Sequence, residues 1–175
     1  MTSEQLISLF GAAVLAGAAV AAPEAQAQSQ GAPQMTPTAA GTPEARNRAL
    51  VEAAFASWSA GTGGPYDLLD DAVVWTIVGR SDASRTYPSR EAFMRDVIRP
   101  FNARMREPLR PTIRQLTTDG DRVIIFFDAQ GVARDGQPYV NTYAWFWEMR
   151  DGRVARAHAF YDSLAFNDLW RRVSP

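Results

Sequence analysis

Two side chains able to move a proton near neutral pH interrupt apolar segments of this chain. Asp128 directly follows Phe126-Phe127, and His158 sits between Ala157 and Ala159. Burial raises a carboxyl group's pKa and makes it a usable base. An unperturbed imidazole titrates near ~6.5, and His158 is the only histidine. Each has a plainer reading as well. Asp128 pairs with one of the arginines or sits at a bulge; His158 lies on an outer face, at a subunit contact or in solvent. A third group is carried by Gly136-Gln137-Pro138-Tyr139-Val140-Asn141-Thr142-Tyr143. On a strand Tyr139, Asn141 and Tyr143 share one face. Their hydroxyls and amide either polarise a carbonyl as an oxyanion hole does or hydrogen-bond loops and fix a hairpin. Asp128, His158 and Tyr143 are therefore the candidate catalytic residues. Trp75, Phe101, Phe127, Tyr139, Asn141, Trp147 and Tyr161 are the candidate ligand-binding residues, with Phe93 and Trp145 as further wall aromatics. For any one of these aromatics the alternative is core packing, which contributes roughly 1.5–3 kcal/mol by burial alone.

Composition removes many other chemistries. The chain has 175 residues and no cysteine, so it has no disulfide framework, no thiol nucleophile and no cysteine-based metal site. One histidine cannot make a two-histidine metal motif. All 18 basic residues are arginine, which excludes a lysine Schiff base and a P-loop lysine. The net charge of -1 gives no basic excess for nucleic acid. No metal and no cofactor is expected.

The elements that must position these groups are legible from pattern. Thr42-Pro43-Glu44 is a helix start: a capping hydroxyl, proline in the first turn, then an acid. Leu50, Ala54 and Trp58, flanked by Val51 and Phe55, form an amphipathic stripe that ends at Gly61-Thr62-Gly63-Gly64. Pro65 to Asp70 reads as a short helical turn. Ala72 to Gly79 reads as a strand, and Arg80 to Tyr87 as irregular. Ser89 caps a second helix bearing Phe93, Met94, Val97 and Ile98. Pro100 interrupts it, and Phe101 to Met105 continues it at an angle.

Four strands follow: Thr112–Thr118, Arg122–Ala133, Gln137–Arg150 and Arg153–Leu164. They are separated by Asp119-Gly120, Asp135-Gly136 and Asp151-Gly152, the dipeptide that favours tight hairpins through positive φ. A short helix over Asn167 to Val173 closes the chain. The order makes an α+β domain, with helices packed on one face of a curved antiparallel sheet. Strand alternation puts Val123, Ile125, Phe127 and Ala129 on one face and Ile124, Phe126, Asp128 and Gln130 on the other. Both faces are apolar, so helices cover one and a partner subunit is a candidate for the other. On the last strand Val154, Arg156, His158, Phe160 and Asp162 alternate with Ala155, Ala157, Ala159 and Tyr161. Arg95, Arg99, Arg106, Arg110 and Arg114 read as a solvated face with partners such as Asp96 and Glu107.

Ahead of the domain, Leu6 to Ala22 is uncharged and apolar, and Ala25-Gln26-Ala27 follows. This pattern reads as a secretory signal over residues 1–27, although the segment before it lacks a basic side chain; a membrane anchor is the alternative. Residues 28–42 are uncharged and rich in Gln, Pro, Thr, Ala and Gly, a flexible tether. The domain proper spans residues 43–175. A periplasmic or secreted location fits the lack of cysteine, with no membrane attachment after signal cleavage.

The order of elements, together with five sequence words, resembles the SnoaL-like branch of the nuclear-transport-factor-2-like superfamily, a cone-shaped fold shared with ketosteroid isomerase. The words are Trp75-Thr76-Ile77-Val78-Gly79, Asp119-Gly120-Asp121-Arg122-Val123, the Gly136 to Tyr143 segment, Asp151-Gly152-Arg153-Val154 and Phe160-Tyr161-Asp162. The resemblance implies an apolar pocket between the concave sheet face and the helices, a homodimer formed through the outer face, and no cofactor. It also implies where a base would lie. In cyclase-like relatives that position falls on Ala159, and in isomerases around Ile77 to Gly79, where nothing is acidic; Asp82 in the next loop is the nearby carboxylate. The dehydratases' second histidine is missing, and no Asp–Arg–Asp relay of the epoxide-hydrolase kind can be placed. The function expected is binding of a small hydrophobic molecule in a conical pocket. One branch adds cofactor-independent acid–base catalysis of isomerase or cyclase type, with Asp128 or His158 moving the proton. The other is a non-catalytic ligand-binding or dimeric interaction module. The catalytic branch fails if both proton carriers point away from the pocket.

Overall fold

A computed structural model describes residues 41–175. The expected leader, and the tether apart from Gly41 and Thr42, lie outside the described residues. Helix α1 (Pro43–Ala60) starts as its sequence dictates. The Thr42 side chain accepts the Ala45 N–H, and Gly61 closes the helix at φ 75°. Its buried face is Asn47, Val51 and Phe55. Leu50 is largely exposed, so the apolar stripe is rotated by one residue from the expected one. The rotation suits two contacts with the hairpin turn at Gly120: Asn47 donates to its carbonyl at 3.2 Å, and Glu44 accepts its N–H at 2.9 Å.

Six strands form one sheet: β1 (Leu69–Ile77), β2 (Thr86–Tyr87), β3 (Met105–Asp119), β4 (Arg122–Ala133), β5 (Pro138–Arg150) and β6 (Arg153–Tyr161). Their order is β2-β1-β6-β5-β4-β3. The four-strand meander is antiparallel, as its turns predict. β1 joins β6 in parallel, which sequence alternation alone does not reveal. The turns also differ among themselves. Only at Asp151-Gly152 are both residues at positive φ, 50° and 76°; in the other two turns only the glycine is.

β3 begins seven residues before the expected strand, and its early half is irregular, with register shifts between Met105 and Arg110. Pro111 is tolerated there because β3 is an edge strand. Register also shifts between Glu148 and Met149 opposite β6. Val154 is consequently buried along with Ala157, Ala159 and the partly buried Tyr161. The expected alternation holds from Arg156 onward, and Val154 breaks it.

The second helical stretch is continuous but changes pitch: α2 (Arg90–Phe93), a π-helical turn (Met94–Ile98) and α3 (Arg99–Ala103). Pro100 explains the change. It has no N–H and its ring crowds the preceding turn, and the Arg99 N–H reaches back to the Met94 carbonyl, five residues away. The wider turn directs Met94, Val97 and Ile98 toward the sheet. Helix α4 (Ser163–Arg172) is capped by Asp162, whose side chain accepts the Leu164 N–H. It starts earlier than expected because that cap lies directly after β6.

Arginines pin α4 in place. Arg171 binds Asp82 through two hydrogen bonds of 2.8 and 2.6 Å, and Arg172 binds Asp135. Buried Arg104 lies over the Trp170 ring, 4.0 Å from its centroid. It donates to the Pro100 and Trp170 carbonyls. Helices and concave sheet face share one core that includes Phe55, Phe93, Phe101, Phe127, Trp145 and Phe166.

Candidate functional site

A cavity of about 480 Å³ lies between the concave face and the helices. Its walls are mostly aromatic. Trp58 of α1 faces Trp145 of β5 with planes 7° apart and centroids 6.2 Å apart. Trp75 of β1 stacks on Phe93 at 4.4 Å. Phe101 and Phe166 stack at 6.0 Å at another part of the lining. Ala159 lines the cavity between larger residues, and its short side chain leaves volume that a larger residue would fill. At the rim Asp67 is the one carboxylate among the lining residues. Its side chain is 70% exposed and lies 3.8 Å from Arg90, and it accepts the Gly64 N–H at 3.1 Å.

Six candidate residues line this cavity: Trp75, Phe93, Phe101, Tyr143, Trp145 and Tyr161. Four more share their side of the sheet but sit behind them. Phe127 is fully buried and stacks on Tyr143 at 4.8 Å, and Trp147 stacks on Trp145 at 5.5 Å. Tyr139 and Asn141 are buried beside Tyr143 rather than in the lining. These four support the wall without forming it.

The two candidate proton carriers lie on the other face of the sheet. Phe127 and Ala159 point inward, so strand alternation turns their neighbours Asp128 and His158 outward. Asp128 accepts the Thr142 hydroxyl at 2.7 Å and the Arg114 Nε at 2.5 Å. The Thr142 hydrogen bond, reinforced by Arg114, holds its carboxyl below the usual carboxylate range. His158 is exposed and opposite Phe146. Neither Asp128 nor His158, the expected proton carriers, lines the cavity. Asp82 also fails to reach inward, because Arg171 holds it at the surface and lowers its pKa. Ala159 and Ile77, at or beside the positions where the resemblance implies a base, do face the cavity, and both are apolar.

The hydroxyl groups among the lining residues are all phenolic. Tyr66, Tyr143 and Tyr161 line the cavity, with Tyr139 behind them. Desolvation pushes the pKa of all four upward, so they are neutral at physiological pH. The Tyr161 hydroxyl is 2.8 Å from the Ser81 hydroxyl. Tyr143 is 3.1 Å from Tyr139, whose oxygen also accepts from Asn141 at 2.8 Å. Such a set can donate hydrogen bonds to a bound oxygen; it cannot remove a proton near pH 7.

Sequence reasoning missed Tyr66, Met94, Val97 and Ile98 as lining residues and saw Trp58 only as part of a helix stripe. Tyr66 sits in the 3-10 turn Pro65–Leu68, where no periodicity marks a direction. The π turn is signalled only by Pro100 six residues after Met94.

The comparisons agree with this geometry. None of the curated proteins compared is significantly similar to the chain. Among solved structures, Bal32a from a soil-derived mobile gene cassette shares 21% identity at a TM-score of 0.62, covering 74% of this chain and all of that one. A putative polyketide cyclase from Xanthomonas campestris shares 21% identity at 0.56, covering 74% of this chain and 99% of that one. TerC, co-crystallised with polyporic acid, shares 20% identity at 0.56, covering 71% and 98%. These likenesses show the nuclear-transport-factor-2-like fold. The family model for the SnoaL-like domain matches residues 51–157, most of the folded part, and the chain belongs to the SnoaL-like domain family.

Proposed function

We propose that this protein binds a small hydrophobic molecule in the conical cavity and does so without an internal proton-transfer pair. One observation carries the reading: the lining combines stacked tryptophans with neutral phenols, and the one carboxylate it has among the described residues is at the rim. Such a site offers apolar area and a few directed hydrogen bonds, the usual composition of a ligand pocket. Structural neighbours include a putative polyketide cyclase and a protein crystallised with polyporic acid, which favours a ring-containing ligand. Native mass spectrometry of the purified protein, followed by titration of tryptophan fluorescence with candidate compounds, tests the reading. A copurifying small molecule, or saturable quenching, is expected. A protein that quenches with no apolar compound sinks it.

Catalysis of isomerase or cyclase type is the second reading, and the carboxylate that favours it is Asp67. If the rim closes over a ligand, that group is the base available. Asp67→Asn then abolishes turnover of a converted compound, whereas a pure binder is unaffected.

The outer sheet face supports a homodimer. Ile124, Phe126, Phe146 and Phe160 are 37% to 43% exposed there, and the Phe146 and Phe160 rings meet at 5.7 Å. An apolar island of this kind is costly to leave in water. Export to the periplasm or medium belongs to the same reading and rests on the leader sequence; N-terminal sequencing of the exported protein tests it, with cleavage after Ala27 expected.

A further inference from the structure

We infer that the ligand is uncharged and carries a hydrogen-bond-accepting oxygen, which the hydroxyls of Tyr143 and Tyr66 receive, with Asn141 fixing the direction of the Tyr143 proton. The inference rests on the ligand-binding reading above and narrows its chemistry.

The direction follows from donors and acceptors counted outward from Asn141. Its Oδ1 accepts two backbone N–H groups, from Thr142 at 2.8 Å and Asp162 at 2.9 Å. That settles which end of the amide is oxygen, since the reversed amide would place N–H against N–H. Its Nδ2 donates to the Asp162 carbonyl at 3.0 Å and to the Tyr139 hydroxyl oxygen at 2.8 Å. Tyr139 therefore accepts from Asn141. Its contact with Tyr143 at 3.1 Å can run in either direction, and the one in which Tyr139 donates gives its buried proton the acceptor it otherwise lacks among the described residues. Tyr143 accepts there, so its proton is left to point into the cavity that it lines. Each donor in such a chain strengthens the next.

Tyr66 adds a second donor. It lines the same cavity as Tyr143, and its hydroxyl has no hydrogen-bond partner among the described residues. The cavity thus has surplus donors. Among the described residues no arginine or histidine lines it, and its one carboxyl group, Asp67, is at the rim. An anionic ligand would be buried without a counter-cation, at a large desolvation cost. A cation would meet phenol protons, and Asp67, its sole counter-charge, already has Arg90 and the Gly64 N–H beside it.

Four probes of one ring system test this: 2-isopropylnaphthalene, 2-acetylnaphthalene, 2-naphthoate and 2-naphthyltrimethylammonium, titrated into the full chain and followed by tryptophan fluorescence and calorimetry. The ketone is expected to bind about tenfold tighter than the hydrocarbon, and both charged probes more weakly than the ketone. Tyr143→Phe should remove most of the ketone's advantage over the hydrocarbon. Asn141→Leu, if it folds, should reduce the advantage without touching the cavity wall, and Tyr66→Phe gives a second check if it does not. Hydrocarbon and ketone binding equally, a charged probe binding tightest, or a full ketone advantage retained in both Tyr143→Phe and Tyr66→Phe overturns the inference while leaving the ligand-binding reading intact. If none of the four binds, the ligand-binding reading falls and takes this inference with it.

Discussion

The two faces of the same three strands hold opposite chemistry. Inward, β4 to β6 carry Phe127, Tyr143, Trp145, Trp147, Ala157 and Ala159, buried and uncharged. Outward they carry Asp128, Glu148, Arg156 and His158 around an apolar island of Ile124, Phe126, Phe146 and Phe160. A shift of one residue along the chain separates a cavity wall from a solvated ion pair. Titratable side chains next to an apolar run therefore say little about the pocket. Parity along the strand decides which side they serve.

The comparison is broken most severely from the inside. Trp145 stands between Trp58, Trp75, Phe127 and Trp147. Trp145→Ala should cost about 3–5 kcal/mol in unfolding free energy, read by chemical denaturation, and abolish ligand quenching. The matching change outside is Phe146→Asp with Phe160→Asp. It should turn a dimer into a monomer by sedimentation while ligand affinity per chain stays the same. A dimer that survives both charges would place the interface elsewhere.

A smaller effect comes from acid. Arg171 holds the Asp82 carboxyl below its ordinary value, and Arg172 does the same for Asp135. A depressed folded-state pKa contributes stability that is present above the unfolded value of ~3.9 and lost as pH falls through the folded value. The melting temperature should therefore drop as pH falls below ~4, and the drop should be shallower in Asp82→Asn with Asp135→Asn. Both pairs anchor α4, which carries Phe166 into the cavity lining; loss of ligand quenching should accompany their release. The smallest effect is expected for the outward proton carriers. His158→Ala should alter stability by no more than about 0.5 kcal/mol, and neither it nor Asp128→Asn should change ligand affinity beyond twofold. A large loss of binding in either would mean that the outer face reaches the pocket.

Much of this architecture could be read from residue types in order. Thr42 and Ser89 were identifiable as helix caps, and both accept the N–H three residues on. Three aspartate-glycine pairs marked the meander, because glycine is the residue that takes positive φ without strain. The half of the site made from β5 was legible too, since Tyr139, Asn141, Tyr143, Trp145 and Trp147 lie two residues apart and share one face. Tyr66 and the π turn were not legible. Neither a 3-10 turn nor a widened helix leaves a periodic trace, and their direction depends on what they pack against.

Local rules, then, settled strand parity, turn positions and caps, each a matter of neighbouring residues and short-range sterics. Which parity faces the helices, that β1 runs parallel to β6, and that Ala159 lines the cavity while His158 does not depend on contacts between segments many residues apart. Such contacts form only when the sheet bends around α1 and α4, and the aromatic area they bury selects the inward face.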